Sequence, residues 1–68
     1  MIKNLTYHNL MVVINKLMAK GWNREESEKM ARNMFAEFKA RPLGMSIEER
    51  IRRTLTREEW EEEQRRWG

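Results

Sequence analysis

The chain has no cysteine and no aspartate, one proline, one histidine and three glycines in 68 residues. Without cysteine neither a disulfide framework nor a thiolate metal site can staple the fold, and the absence suits a cytosolic protein. His8 has no nucleophile and no orienting carboxylate beside it in sequence, so it reads as an exposed or hydrogen-bonded first-turn residue rather than a base. The carboxylates are glutamates placed for helix caps and ion pairs, which makes a poor metal-ligand set. Gly21, Gly44 and Gly68 read as a helix stop, a loop and the terminus, so no glycine-rich phosphate loop exists. Catalysis, a cofactor and a metal site are therefore not expected.

Long apolar runs are missing as well. The longest is Leu10-Met11-Val12-Val13-Ile14, against the roughly 20 residues that span a bilayer. The start, Met1-Ile2-Lys3-Asn4-Leu5-Thr6, lacks the apolar stretch and small-residue cleavage site of a signal peptide. The expectation is a cytoplasmic, unprocessed chain without a membrane segment.

What remains is 40% hydrophobic and 37% charged, a balance suited to a globular helical domain with a heavily charged exterior. A chain this short buries only about 60% of the surface that its unfolded form exposes, so its core is marginal. Net charge is +3, with a balance of +4 in residues 1–45 and −1 in residues 46–68. That surplus steers only weakly toward nucleic acid.

The strongest local signal is repeated three times. Asn23-Arg24-Glu25-Glu26, Ser46-Ile47-Glu48-Glu49 and Thr56-Arg57-Glu58-Glu59 each put a capping residue three positions before a glutamate. In that box the cap side chain accepts from the N–H three residues on, while the glutamate accepts from the cap's own N–H. Three helix starts are thus written locally, and Thr6 caps a fourth. The expected helices cover residues 7–20, 24–40, 47–55 and 57–67 of a single domain, 1–68. The expected fold class is all-α: a small three-helix bundle with a fourth, charged C-terminal helix.

Leu10, Val13, Ile14, Leu17 and Met18 follow the spacing of a buried stripe, and Leu5 with Leu10 forms a hydrophobic staple. Gly21 stops the first helix, and Trp22 can fold back onto Leu17. The second helix is expected to bury Ala31, Met34, Phe35 and Phe38, with Met30 at the edge. Pro42 ends it near Ala40, and Leu43 and Met45 in the following loop are expected to cover the core. Ile47, Ile51 and Leu55 share one face of the third helix, and Leu55 pairs with Trp60 across the Thr56 cap. Glu48–Arg52, Glu49–Arg53, Glu61–Arg65 and Glu62–Arg66 are i,i+4 pairs in the favourable order. The run Glu58 to Glu63 reads as a solvated helix face.

Leu17-Met18-Ala19-Lys20-Gly21-Trp22 followed by a helix, then Ser46-Ile47-Glu48-Glu49-Arg50-Ile51, resembles a ubiquitin-associated domain. That family joins its first two helices through a Met-Gly-Phe/Tyr loop and opens its third with an Asn-Val-Glu-type cap. Here Lys20 stands in place of the loop methionine and the connection through Pro42 is long for the family, so ubiquitin binding is carried to no residue. In overall style, charged and without a catalytic kit, the chain is similar to accessory proteins of phages and mobile elements, which often obstruct a larger host machine.

With no reactive constellation, the expected activity is binding. Surplus apolar surface at Val12, Trp60 and Trp67, with the nearby charges Lys16, Lys20, Arg53 and Arg57, marks the expected partner-binding residues of a protein-interaction module. Nucleic-acid binding through Arg50, Arg52, Arg53 and Arg57 is the first alternative. Against it, Arg50, Arg52 and Arg53 point to different sides of the third helix, and Glu48 and Glu49 partner two of them. A homo-oligomer whose interface completes the small core is the second.

Overall fold

A computed structural model describes residues 6–40 and 44–67. It is all-α, with four helices in chain order: α1 Tyr7–Met18, α2 Arg24–Ala40, α3 Ile47–Arg53 and α4 Arg57–Trp67. Among the described residues there is no strand, and no helix is long and apolar enough to cross a membrane.

Each helix starts on a side-chain cap. Thr6 Oγ1 accepts from the Asn9 N–H at 3.2 Å. The Asn23 box closes in both directions, with Asn23 Oδ1 accepting from Glu26 N–H at 2.7 Å and Glu26 Oε1 accepting from Asn23 N–H at 3.3 Å. The Thr56 box closes the same way, at 3.1 Å and 2.9 Å. At Ser46 the reciprocal arrangement expected from the sequence gives way to a one-sided cap. Ser46 Oγ accepts from Glu49 N–H at 3.2 Å, while the Glu49 carboxylate faces Arg53 at 3.4 Å and Arg52 at 3.7 Å. Two guanidiniums one turn away compete for the carboxylate that the box requires.

One buried cluster joins three of the helices. Val13, Ile14 and Leu17 come from α1, Ala31 and Met34 from α2, Ile47 and Ile51 from α3. Ser27 is fully buried beside them, and its hydroxyl donates to the Trp22 carbonyl at 3.4 Å. Phe35 and Phe38, expected in the core, are only half-buried against it. The seven-residue α3 supplies two side chains to the cluster, Ile47 and Ile51. Met45 is half-buried; Leu5 and Leu43 lie outside the described residues.

Two helices end earlier than their periodicity suggests. α1 stops at Met18 rather than Lys20, and the chain then tightens through Lys20 N–H to Leu17 O and Gly21 N–H to Met18 O, both 2.9 Å. Gly21 follows with φ +97°, where a side chain is strained. α3 stops at Arg53 because Thr54 is extended (φ −73°, ψ 133°), and this turns Leu55 out of the Ile47–Ile51 stripe. Leu55 is consequently exposed rather than stacked in the core. The Thr54 hydroxyl donates to the Arg50 carbonyl at 3.0 Å, taking up one of the last acceptors of α3.

A Cβ at Gly21 would stand 3.2 Å from the Arg57 Cβ, so the position is constrained by neighbours as well as by its backbone. Gly21→Ala is expected to lower stability by about 1–2 kcal/mol from the positive-φ penalty, with the added push on Arg57 loosening α4. Urea unfolding followed by circular dichroism checks the first effect, and tryptophan fluorescence checks the second.

Candidate functional site

No side chain of α4 is buried, so its position has to be explained by contacts at its first turn. Those contacts come from residues 20–22, the turn after α1. The Lys20 ammonium donates to the Arg52 carbonyl at 3.1 Å and to the Thr54 carbonyl. Carbonyls at a helix C-terminus lack partners within the helix and carry its negative dipole end, so a cation is favourable there. The Lys20 carbonyl in turn accepts from the Arg57 N–H at 2.9 Å. That N–H belongs to the first turn of α4 and has no acceptor inside its own helix.

Trp22 completes the joint. It is 8% exposed, and its indole N–H donates to the Leu55 carbonyl at 3.0 Å. Its ring meets Trp60 edge-on, with centroids 5.9 Å apart and planes at 65°. The Arg57 guanidinium lies 5.5 Å from the Trp22 ring centre and 5.0 Å from that of Trp60. Arg57 also pairs with Glu26 at 2.7 Å and Glu61 at 3.1 Å. An edge-on aromatic pair contributes about 0.5–1.5 kcal/mol beyond area burial. A partly exposed cation–π contact adds about 0.5–1 kcal/mol, and a partly exposed ion pair about 0.2–1 kcal/mol. None of these anchors a helix alone. Acting on the same turn, they do.

The joint leaves a groove of about 520 Å³ beside it. Trp22, Met30, Leu55 and Trp60 supply its mostly apolar wall, and Lys29, Arg50, Arg53 and Arg57 give it a basic border with Glu26 as the one acid. Leu55 is 41% and Trp60 38% exposed, so apolar surface remains open to a ligand. The arginines are not bare charges. Arg50 faces Glu37 at 3.9 Å, Arg53 faces Glu49 at 3.4 Å, and Arg57 is held by Glu26 and Glu61.

Of the residues singled out from sequence, the structure brings Arg53, Arg57 and Trp60 together at this groove. Lys20 sits beside it with its ammonium committed to the α3 carbonyls. Val12 is half-buried rather than projecting freely, and Lys16 is exposed; neither lines the groove. Trp67 is 80% exposed at the far end of α4 and is also outside it. The sequence pointed to Arg50 only for the nucleic-acid alternative, and it marked neither Lys29 as a border residue nor Trp22 and Leu55 as wall. Trp22 directly follows a helix-stopping glycine, where periodicity says nothing about direction, and Leu55 fits the periodicity of a helix that ends before it.

His8 is exposed, and among the described residues no group of three or more His, Cys, Asp or Glu side chains is placed to hold a metal ion. Glu61 turns to Arg57 rather than to Arg65. The Glu59 carboxyl has a lowered pKa. The Thr56 N–H, then the Thr56 hydroxyl, hold its carboxyl below the usual glutamate range, with a smaller pull from Lys20 and a small opposing effect of desolvation. No protein-family model matches the chain, and no curated protein or solved structure matches it.

Because the folded state holds Glu59 more acidic than the unfolded chain does, its charge contributes stability above the ordinary glutamate pKa of about 4.3. That contribution disappears as pH falls through the depressed folded value. The stability difference between wild type and Glu59→Gln, measured by urea unfolding across a pH series, is expected to hold steady near neutrality and shrink on acidification. A difference independent of pH would show that the Glu59 charge has no part in the cap.

Proposed function

We propose that the chain is a small, non-catalytic protein-interaction module that captures its partner in the groove between Trp22, Met30, Leu55 and Trp60. The observation that carries this reading is an open apolar wall bordered by basic side chains at the α3–α4 joint. Interface centres favour tryptophan, methionine and arginine, and a groove of this kind suits an apolar anchor flanked by carboxylates. A side chain such as leucine or phenylalanine on the partner would enter against Leu55 and Trp60. Acidic residues beside it would meet Lys29 and Arg53, both exposed. Within this class, a charged chain devoted to capping and packing its helices suits an accessory protein of a phage or mobile element. Such a protein acts by covering a surface of a larger host complex, such as a defence system.

The compensated arginines weigh against nucleic acid as the partner. Arg50 and Arg57 each have a glutamate within 3.9 Å, and Arg52 and Arg53 share Glu49, which leaves one surplus cation there, whereas phosphate binding draws on several uncompensated cations.

The test uses Leu55→Ser and Arg53→Glu, both at exposed positions, so that the helical content of the variants stays at the wild-type level. Wild type immobilised in an extract of its own source cell is expected to retain a protein that either variant loses by about tenfold or more, equivalent to about 1.4 kcal/mol. Equal retention by wild type and both variants would remove the groove as the binding surface.

A further inference from the structure

The outer half of α4 is left unfinished by its own domain. Trp60 and Trp67 are seven residues apart, two helical turns, and so share one face of the helix. Trp60 leans on Trp22, but Trp67 is 80% exposed. At 11 residues, α4 is shorter than the roughly 12–15 at which an isolated helix becomes even marginal. Its charge is also divided: glutamates fill positions 58–63 around Trp60, while Arg65 and Arg66 close the last turn. Beside Leu55, Glu59, Glu62, Glu63 and Arg66 line a hollow of about 180 Å³, in which three carboxylates face one guanidinium.

We propose that α4 is the interface with a second copy of this chain, packed antiparallel so that Trp67 of each copy lies over the exposed edge of Trp60 in the other. The helix is self-complementary in that register. An antiparallel pair related by a two-fold axis sets like edges against each other. Glu59, Glu63 and Arg66 lie on the same edge of the Trp60–Trp67 face. Aligning Trp67 with Trp60 therefore brings Arg66 of one copy between Glu59 and Glu63 of the other, into the acidic hollow, and the symmetry makes the contact twice. A parallel pair would instead set that edge against the opposite one, which carries Arg57, Glu61 and Gln64, and would leave Arg66 without the acidic hollow of the other copy. The second copy supplies what α4 lacks: an apolar cover for Trp67 and cations for the excess carboxylates. The inference does not rest on the partner-capturing role of the groove, but both use the exposed edge of Trp60, so a second copy and a groove-bound partner compete for it.

Sedimentation equilibrium of the purified chain tests it, with Trp67→Ser, Arg66→Glu and Glu63→Arg as variants. All three positions are exposed, and circular dichroism at low concentration verifies that each variant keeps its helices. Wild type is expected to show a reversible monomer–dimer equilibrium, and each variant to weaken it about tenfold or more. An equimolar mixture of Arg66→Glu and Glu63→Arg chains is expected to recover association, because each mixed contact then pairs opposite charges; an effect confined within one helix would not respond to mixing. A wild-type chain that stays monomeric at about 1 mM, variants that dimerise as wild type does, or a mixture no tighter than its components would each overturn the proposal.

Discussion

The placement of α4, and with it the groove, depends on a three-residue turn. Lys20, Gly21 and Trp22 follow the last turn of α1, and between them they hold the α3–α4 joint by one ammonium, one carbonyl, one indole N–H and one aromatic face. Every polar contact among these joins a helix-end group or a loop carbonyl that would otherwise need water. Gly21 is required because the turn passes through positive φ while its α-carbon sits against Arg57. A cluster of seven apolar side chains from α1, α2 and α3 gives the domain its core, but that cluster stops short of α4. What the core does not reach, the turn does.

This division explains where a binding surface can exist. A fully buried joint would be closed, and a joint held only by surface ion pairs would be too loose to present a shaped wall. Here polar contacts to backbone carbonyls set the position of Trp22 and Leu55, while Trp60 and Leu55 remain partly open. The groove is thus formed by three separate stretches of chain, 22–30, 50–55 and 57–60, fixed relative to one another by the turn. Arg57 shows the same economy: one guanidinium faces two tryptophans and two glutamates at the same point.

The parts that were legible in the sequence are those determined over three or four residues. The all-α class follows from capping residues and apolar spacing, and the Asn23 and Thr56 boxes close in both directions. Ser46 departs because Arg52 and Arg53 draw Glu49 aside, a competition visible only once the helix is built. Leu55 fits the i, i+4 pattern of Ile47 and Ile51, yet Thr54 breaks the helix before it. The groove itself was not legible, since its wall depends on contacts spanning more than thirty residues, Lys20 to Thr54 and Trp22 to Leu55 among them. Trp60 stands out in the sequence as surplus apolar surface on a polar helix, and Arg53 and Arg57 as charges near it; what places them together is the turn.

Amide hydrogen exchange at Arg57 tests this account most directly. A first-turn N–H ordinarily exchanges freely because it has no acceptor within its helix, but here it donates to the Lys20 carbonyl across the joint. The account predicts that the Arg57 amide is protected in the wild type and loses that protection in Lys20→Met, while the amides of α1 and α2 around Val13 and Ala31 stay protected. An Arg57 amide that exchanges as fast as an exposed one in the wild type would contradict it.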